Sequence, residues 1–362
     1  MKILQICHGK IIPENSSAYS LRCSNLFSDS EMVSIGGMVF RDETYRNKKQ
    51  YRSYLLMLFS IIKGNRVFEI YLSSGKFVRK RYINDIINKI KQSDVIVFEG
   101  PWQYNLFKDF LAGKIVIYDA HNIEYNLRKN NRYIEKVKGL ESELLNNADI
   151  VFSITFDGIR EFNRIYGVDE NKIYYEPYIN KNQYKWHGMD SNIIVFIGSM
   201  YYENLRAVDF IKSMALKLPD VEFYIIGSVR PLIYKKIPNV IFTGYIDDHQ
   251  KNEIMARSAI AINPVFNGSG MSFKIFDYLS HGIPVISSEA GLSGYRNMNP
   301  DNYIIISSPE KFIENIQMLL LDRSKLLEYS EKSGEFYSKI LDENNFKSPE
   351  DVIINLKNNI YS

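Results

Sequence analysis

The feature that most constrains this chain is an alternation of short apolar, β-rich runs with amphipathic helical stretches. In the first part of the sequence these runs are residues 1–7, 94–99, 114–119 and 149–154. Helical periodicity lies between them, notably over 81–91 and 131–147. Strands that alternate with helices predict parallel βαβ units in a doubly wound sheet, whose ligands bind at the carboxyl ends of the strands.

The same pattern restarts after residues 178–190, which show little apolar periodicity and which we interpret as a linker. The second series of predicted strands is 192–197, 221–226, 240–243, 260–263 and 284–287. A chain of 362 residues also exceeds one ordinary core. We therefore expect an α/β protein of two Rossmann-like doubly wound domains, 1–183 and 184–342, that face a cleft.

Composition excludes several classes of protein. Hydrophobic residues make up 45% and charged residues 24% of the chain, which is typical of a globular protein. Only two cysteines occur, which excludes a disulfide framework, and no run approaches the roughly 20 apolar residues of a membrane span. The first ten residues lack the features of a secretory signal, so we expect a cytoplasmic protein.

The net charge of +3 is unevenly distributed. Residues 41–91 contain 13 basic and 4 acidic residues, a balance of +9, and they include the apolar stretch 54–64. A basic surface beside an apolar patch suits an anionic membrane face or lipid-linked molecule, so peripheral association with the inner membrane is one hypothesis. A solvated loop beside a core helix is the alternative. We do not expect nucleic acid as a partner, because the basic excess is confined to one segment.

The most informative segment is 263–288, NPVFNGSGMSFKIFDYLSHGIPVISS. A predicted strand ends near Pro264, and the turn 268–270 opens a helix. Backbone N–H groups at a helix N-terminus favour a phosphate, and Lys274 adds a full positive charge. Asp277 lies three residues later on the same helical face, where it can accept hydrogen bonds from ribose hydroxyls. Together these parts predict a site for a nucleoside diphosphate.

The segment NGSGMSFKIFDYLSHGIPVIS resembles the donor-site signature of GT-B glycosyltransferases of the retaining family-4 type. Further segments are similar to this family in the same order along the chain: MKILQICHGKIIPENSSA, YDAHNIEYNLR, IGSMYYENLRAVDFI and VIFTGYIDD. The resemblance implies a GT-B fold in which the C-terminal helix, about 343–362, packs back on the first domain. It implies transfer of a sugar from a UDP- or GDP-linked donor to a hydroxyl group, with retention of anomeric configuration.

The resemblance also assigns roles to residues. It implies that His121 and Lys274 are catalytic, Lys274 by stabilising the leaving diphosphate and His121 by hydrogen bonding to a sugar. The donor-binding residues predicted are Gly198, Ser199, Asn204, Arg206, Gly244, Tyr245, Gly268, Ser269, Gly270, Met271, Ser272, Lys274 and Asp277. The acceptor-binding residues predicted are Glu14, Asn15, Glu99, Trp102, Tyr104, Asn122 and Glu124.

Some of these residues have a second interpretation. Trp102 and Tyr104 either stack on a sugar or pack in an aromatic core, and Glu14 and Asn15 either contact the acceptor or are solvated in a loop. The chain has no D-x-D, H-E-x-x-H or EF-hand pattern, so we expect no metal and no cofactor beyond the donor substrate.

The sequence departs from the family pattern at the phosphate site. Asp277 stands where a glutamate is usual, and Ser199, Asn204 and Ser272 stand where related proteins carry basic residues. The function we expect is glycosyl transfer in the assembly of cell-surface polysaccharide, lipopolysaccharide or glycolipid. The departures leave two alternatives open, a catalytically weak protein that binds nucleotide sugars and acts as a scaffold, and a nucleotide-sugar epimerase of the same fold.

Overall fold

The chain forms two units, one made of residues 1–177 and 346–362 and the other of residues 178–345. The structure is a computed structural model. It describes residues 1–8, 18–27, 29–35, 70, 80–128, 132–176, 182–230, 236–267, 272–342 and 348–361.

The first unit contains a six-stranded parallel sheet. Its strands are β1 Ile3–Cys7, β2 Ser30–Ser34, β3 Val95–Phe98, β4 Ile115–Ala120, β5 Ile150–Ser153 and β6 Ile173–Tyr175. Its helices are α1 Ala18–Leu26, α2 Lys80–Gln92, α3 Tyr104–Phe107, α4 Glu124–Leu127, α5 Ile134–Asn147 and α6 Phe156–Tyr166, and α12 Pro349–Tyr361 at the end of the chain. The strand order is β2-β1-β3-β4-β5-β6. The order therefore reverses between β1 and β3, and such a switch point is where doubly wound sheets bind ligands.

The second unit contains another six-stranded parallel sheet. Its strands are β7 Ile193–Ile197, β8 Glu222–Ile226, β9 Val240–Gly244, β10 Ile260–Asn263, β11 Val285–Ser287 and β12 Ile304–Ile306. Its helices are α7 Tyr202–Ala215, α8 Asp248–Arg257, α9 Phe273–Ser280, α10 Phe312–Leu321 and α11 Arg323–Asp342. The order β12-β11-β10-β7-β8-β9 places the switch point between β7 and β10. The predicted fold class, two doubly wound parallel sheets, is confirmed.

The predicted strands occur within one or two residues of their expected ends, and three strands were not predicted. These three are β2, β6 and β12. They are short, β2 carries a polar sequence, and all lie at or next to the edge of a sheet, where a strand buries less side-chain area. Their pairing depends on a neighbour distant in sequence, as in the register of Ile3 with Ser30. A local pattern therefore carries little signal for them.

Helix α12 belongs to the first unit, although it ends the chain. Val352 and Ile353 are buried in a cluster with Ile3, Val95 and Phe152 on one face of the first sheet. These two apolar positions of α12 are thus covered by strands β1, β3 and β5. Among the described residues, no helix combines the length and the apolar character that crossing a membrane requires.

Several sequence predictions lie outside the described residues. They are the acceptor residues Glu14 and Asn15, the glycine-rich turn residues Gly268, Ser269, Gly270 and Met271, and the apolar stretch 54–64 with most of its basic neighbours.

Candidate functional sites at the two switch points

Beside the switch point of the second unit, two glycines after the neighbouring strands β7 and β8 touch through their backbones. Gly198 follows β7, and its N–H donates to the carbonyl oxygen of Ile226 (2.9 Å). A Cβ atom on Gly227, which has φ +106°, would lie 2.4 Å from the carbonyl oxygen of Gly198. A Cβ atom on Gly198 would lie 2.8 Å from Cγ1 of Val229. Glycine is therefore required at both positions, and the loops after β7 and β8 lie against each other.

Lys274 and Asn204 meet across this switch point. Lys274 lies in the first turn of α9, after β10, and Asn204 lies in the first turn of α7, after β7. Lys274 Nζ donates to Asn204 Oδ1 (3.0 Å), and Asn204 Nδ2 donates to the carbonyl oxygen of Ser199 (3.0 Å). The ammonium group also lies 4.3 Å from the centroid of the Phe196 ring. The structure thus brings together three predicted donor residues from two separate loops.

The charge of Lys274 has no carboxylate partner among the described residues. Burial lowers the pKa of the lysine to about 7, because the ammonium form loses water and gains only a neutral amide and an aromatic face. Lysines with a lowered pKa and no counter-ion are typical of sites that receive an anion. A bound phosphate group would supply the missing negative charge.

Asp277 lies one turn further along α9 and is half-buried. Burial raises the pKa of its carboxyl group, the charge of Lys251 on α8 counteracts part of this rise, and Asp248 adds to it. Lys251 forms an ion pair with Asp248 (3.2 Å). The carboxyl group of Asp277 therefore lies near a cation that helps to keep it ionised, as a ribose-binding carboxylate requires.

Two further predicted donor residues, Tyr245 and Arg206, are more exposed. Tyr245 follows β9 and Gly244, and 62% of its surface is accessible, so its ring is available for contact with a planar ligand. The guanidinium group of Arg206 lies 3.9 Å from Glu203, and its side chain is more than half exposed. The carbonyl group of Ser272, before α9, accepts a hydrogen bond from the hydroxyl of Tyr295 (2.9 Å).

Tyr278 also builds this site, although no sequence pattern singled it out. Its buried hydroxyl accepts the N–H of Ile197, at the end of β7 (2.8 Å), and donates to the carbonyl oxygen of Ile262 in β10 (3.4 Å). One side chain of α9 thereby ties the helix that carries Lys274 to both strands of the switch point. In the sequence, Tyr278 is indistinguishable from the apolar residues on the same face of the helix.

In the first unit, the residues after β1, β3 and β4 form a polar cluster. His121 follows β4, and its Nε2 lies 2.8 Å from Oε2 of Glu99 and 3.4 Å from Oδ2 of Asp119. His8 follows β1, and the ring of Tyr19 packs against the rings of both His8 and His121, with centroid distances of 4.6 and 4.8 Å. His121 is 9% exposed, whereas Glu99 and Asp119 are fully buried.

Arg22 balances the charge of Asp119 in this cluster. Its Nε and Nη2 donate to the carboxylate of Asp119 (2.9 and 2.5 Å), and its Nη1 donates to the carbonyl oxygen of Glu176 (2.5 Å). Burial acts to raise the pKa of Asp119, but the guanidinium group outweighs it and the pKa lies below its ordinary value. Arg22 was not among the predicted site residues, because nothing in the sequence connects α1 with β4.

The structure corrects three of the predicted acceptor contacts. Trp102 is fully buried, and the guanidinium group of Arg128 lies over its ring, 4.8 Å from the centroid. Tyr104 is 4% exposed and packs edge-on against Phe98. Both rings belong to the core of the first unit, so the prediction that they stack on a sugar is wrong. Glu99 is also fully buried and faces His121, which prevents direct contact with an acceptor.

The segment that follows His121 is held by one buried acid. Glu141 on α5 accepts hydrogen bonds from the N–H groups of Glu124 and Tyr125 (2.9 and 3.1 Å) at the start of α4. It also accepts from the hydroxyls of Tyr118 and Tyr166. Glu124 itself pairs with Arg128, and Asn122 is half-buried beside His121 in the sequence.

Comparison with known proteins supports the predicted class. Residues 191–322 match the family model of glycosyl transferases group 1. The second unit therefore carries a group 1 glycosyl transferase domain, and the predicted resemblance to GT-B glycosyltransferases is confirmed. No curated protein sequence matches the chain.

Solved structures with the same fold cover most of the chain. HepE from Anabaena, in complex with UDP and glucose, has a TM-score of 0.66 at 12% identity, over 94% of this chain and 95% of its own. Sucrose-phosphate synthase from Thermosynechococcus elongatus has a TM-score of 0.68 at 11% identity, with the same coverage. TarM from S. aureus has a TM-score of 0.60 at 17% identity, over 76% of this chain and 57% of its own. At such identities the likeness establishes the fold, here GT-B, and the class of glycosyltransferase is supported by the family match within the second unit.

Proposed function

We propose that the protein transfers a sugar from a UDP- or GDP-linked donor to a hydroxyl group of a glycan or a lipid-linked acceptor. The observation that carries this proposal is the ammonium group of Lys274. It lies at the switch point of the second unit, has only a neutral amide as its hydrogen-bond partner among the described residues, and has a lowered pKa. A diphosphate is a suitable partner for such a group.

In the proposed reaction, negative charge develops on the β-phosphate as the bond to the sugar breaks. Lys274 stabilises that charge, and one well-placed donor of this kind contributes on the order of 3–4 kcal/mol to the rate. Asp277, three residues along the same helix, is our candidate for the ribose hydroxyls. By resemblance to the family, the departing phosphate takes the proton of the acceptor hydroxyl, and anomeric configuration is retained.

The donor is best tested by binding. Isothermal titration calorimetry with UDP and with GDP would be compared for wild type and for Lys274→Ala. We expect the substitution to weaken binding about 10–100-fold, since a hydrogen bond to a charged group contributes about 1.5–3 kcal/mol. Lys311→Ala is the matched control, because Lys311 is an exposed lysine of the same unit that pairs only with Glu314 among the described residues. Unchanged affinity in Lys274→Ala would refute the phosphate site.

A second test concerns His121, whose proposed role is a hydrogen bond to a hydroxyl of the donor sugar or acceptor. His121→Ala should lower kcat more than it lowers donor affinity, because the phosphates are bound elsewhere. His249→Ala, which changes an exposed histidine on α8, provides the comparison. A fully active His121→Ala protein would remove this residue from the mechanism.

One observation favours a second candidate, a protein that binds nucleotide sugars without turning them over efficiently. The groups next to Lys274 are the neutral side chains of Asn204 and Ser199, so positive charge at the phosphates is low for this class. Proton NMR of donor sugars incubated with the protein separates the candidates. A transferase hydrolyses its donor slowly without acceptor, an epimerase converts the donor, and a binding protein leaves the donor unchanged.

We propose cell-surface polysaccharide, lipopolysaccharide or glycolipid as the product, made at the inner face of the membrane. The support is the balance of +9 over residues 41–91. Electrostatic attraction of this kind weakens when salt screens it. Sedimentation with anionic vesicles should therefore decrease as the salt concentration rises, and neutral vesicles should not bind. Binding that ignores lipid charge would refute this part of the proposal.

A further inference from the structure

The polar cluster of the first unit contains two buried carboxyl groups but only one guanidinium group to compensate them. We call it the Glu99 cluster, and it consists of the side chains of Arg22, Cys23, Glu99, Asp119 and His121. The first four are at most 2% exposed and His121 is 9% exposed. Buried ionised groups are stable only when opposite charge or hydrogen bonds compensate them. The protonation states of the cluster can therefore be derived from its contacts.

The contacts of the two carboxyl groups indicate which of them is protonated. Those of Glu99 and Asp119 are fully buried and each offers an oxygen within 4.8 Å of the other, so ionising both would be strongly unfavourable. Asp119 already receives two N–H groups of Arg22, so it is the ionised member of the pair. The proton therefore belongs to Glu99. Burial and the neighbouring charge of Asp119 raise the pKa of Glu99 well above its usual range, which agrees with this assignment.

The same contacts indicate which ring nitrogen of His121 carries the hydrogen. Oε2 of Glu99 accepts from Sγ of Cys23 (3.3 Å) and lies 2.8 Å from Nε2 of His121. With the proton of Glu99 on Oε1, Oε2 can only accept, so the hydrogen of the imidazole lies on Nε2. The other carboxyl oxygen, Oε1, is buried and receives no hydrogen bond from the described residues, as expected of an oxygen in a protonated acid.

A metal ion would be another way to hold two acids and a histidine together, and Glu99, Asp119 and His121 offer ligand atoms within 4.8 Å of one another. Two ligands with bonds of about 2 Å to a tetrahedral ion lie about 3.3 Å apart. Oε2 and Nε2 are 2.8 Å apart, which is a hydrogen-bond distance. The guanidinium group of Arg22 also forms an ion pair with Asp119 and so compensates its negative charge. The geometry therefore favours a hydrogen bond between Glu99 and His121 over a bound metal ion.

We propose that Glu99 is a positioning residue that acts as a neutral carboxylic acid. It donates its proton to Asp119, accepts Nε2–H of His121, and so presents Nδ1 of a neutral imidazole as a hydrogen-bond acceptor. The consequence for the reaction rests on the function proposed above. His121 would accept a hydrogen bond from a sugar hydroxyl, and would not act as a cation toward a phosphate.

The assignment can be tested without any activity. Nitrogen-15 NMR of histidine-labelled protein at neutral pH reports the tautomer of each ring, and His121→Ala identifies the signal. We expect the Nε2–H tautomer in wild type and in Glu99→Gln, whose amide has nearly the same shape as the acid and offers one oxygen that accepts and an N–H that donates. In Glu99→Leu the fixed tautomer should be lost. An imidazolium or an Nδ1–H signal for His121 in wild type would overturn the proposal, and so would stoichiometric zinc in the purified protein.

Kinetics then separate positioning from a merely structural role. We expect Glu99→Leu to lower kcat for donor turnover about 10–100-fold with little change in KM, as for loss of one hydrogen bond to the reacting group. Glu99→Gln should recover most of this loss. A Gln variant no better than the Leu variant would show that the acid must ionise, against our proposal. If wild type turns over no nucleotide sugar, the proposed function fails, and the tautomer measurement still decides the role of Glu99.

Discussion

The ammonium nitrogen of Lys274 lies 3.0 Å from the amide oxygen of Asn204, and this contact joins the two loops that diverge at the switch point of the second unit. Asn204 orients the lysine but cannot neutralise it. Since burial lowers the pKa of Lys274 to about 7, the site without an anion is poised to lose a proton near neutral pH. Binding of a diphosphate should raise the pKa of Lys274 again and restore its ammonium form.

The first prediction is that UDP binding takes up a proton. At about pH 8, roughly nine tenths of Lys274 is neutral, and a bound diphosphate should restore the ammonium form. Titration calorimetry in buffers of different ionisation enthalpy should show an uptake close to one proton, and affinity should fall as the pH rises above about 7. Lys274→Met should abolish the uptake. Binding to wild type with no uptake would contradict the assigned partner.

The second prediction concerns a carboxylate placed beside Lys274. Asn204→Asp should provide the lysine with an internal counter-ion, raise its pKa and compete with the phosphate, so that UDP affinity falls about tenfold or more. Proton uptake on binding should disappear at the same time. Asn192→Asp is the control, because Asn192 lies in the same unit and donates to the carbonyl oxygen of Asp220 at the surface. Unchanged affinity and proton uptake in Asn204→Asp would show that Asn204 does not set the state of the lysine.

The third prediction tests the hydroxyl of Tyr278. Its removal in Tyr278→Phe leaves the half-buried N–H of Ile197 without this partner, which should lower the free energy of unfolding by about 1 kcal/mol or more. UDP affinity should also fall, because the hydroxyl ties the helix of Lys274 to both strands. Urea denaturation and calorimetry give the two values. Tyr224→Phe, in β8, should change neither, since no described residue hydrogen-bonds to that hydroxyl. Equal effects of the two substitutions would contradict the bridging role.

The fourth prediction concerns the pH dependence of stability caused by Glu141. Burial raises the pKa of this acid to about 7 in the folded protein, above its ordinary value, so the folded state holds a proton that the unfolded state releases. The stabilisation from this proton is full below about pH 4 and is lost as the pH rises to about 7. Relative to Glu141→Gln, wild type should therefore lose unfolding free energy over that range, by up to roughly 3 kcal/mol.

Glu143→Gln is the control for this measurement, because Glu143 lies on the same helix but is partly exposed and pairs with Lys108. If the difference between Glu141→Gln and wild type depends on pH no more than that of this control, Glu141 does not titrate as the structure indicates.

Sequence patterns were sufficient for the fold class and for placing two predicted donor residues, Lys274 and Asp277, on one helix. Lys274 and Asp277 share a turn of α9, so their spacing alone places them on one face. The acceptor residues were harder. Trp102 and Tyr104 follow a predicted strand end, where the local sequence does not distinguish an exposed aromatic residue from a core one. In the structure both side chains are buried in the core.

What the sequence by itself determined was local: the order of strands and helices, the glycines that the tight turns need, and the lysine and acid of α9. These follow from periodicity, backbone freedom and spacing within a few residues of each other. Only the tertiary structure decided which charged and polar side chains pair with each other. Arg22 reaches Asp119 across 97 residues, Glu99 reaches His121 across 22, and Lys274 reaches Asn204 across 70. The physical reason is that parallel strands bring distant loops to one edge of a sheet, and the charge state of each buried group depends on which neighbours that packing supplies.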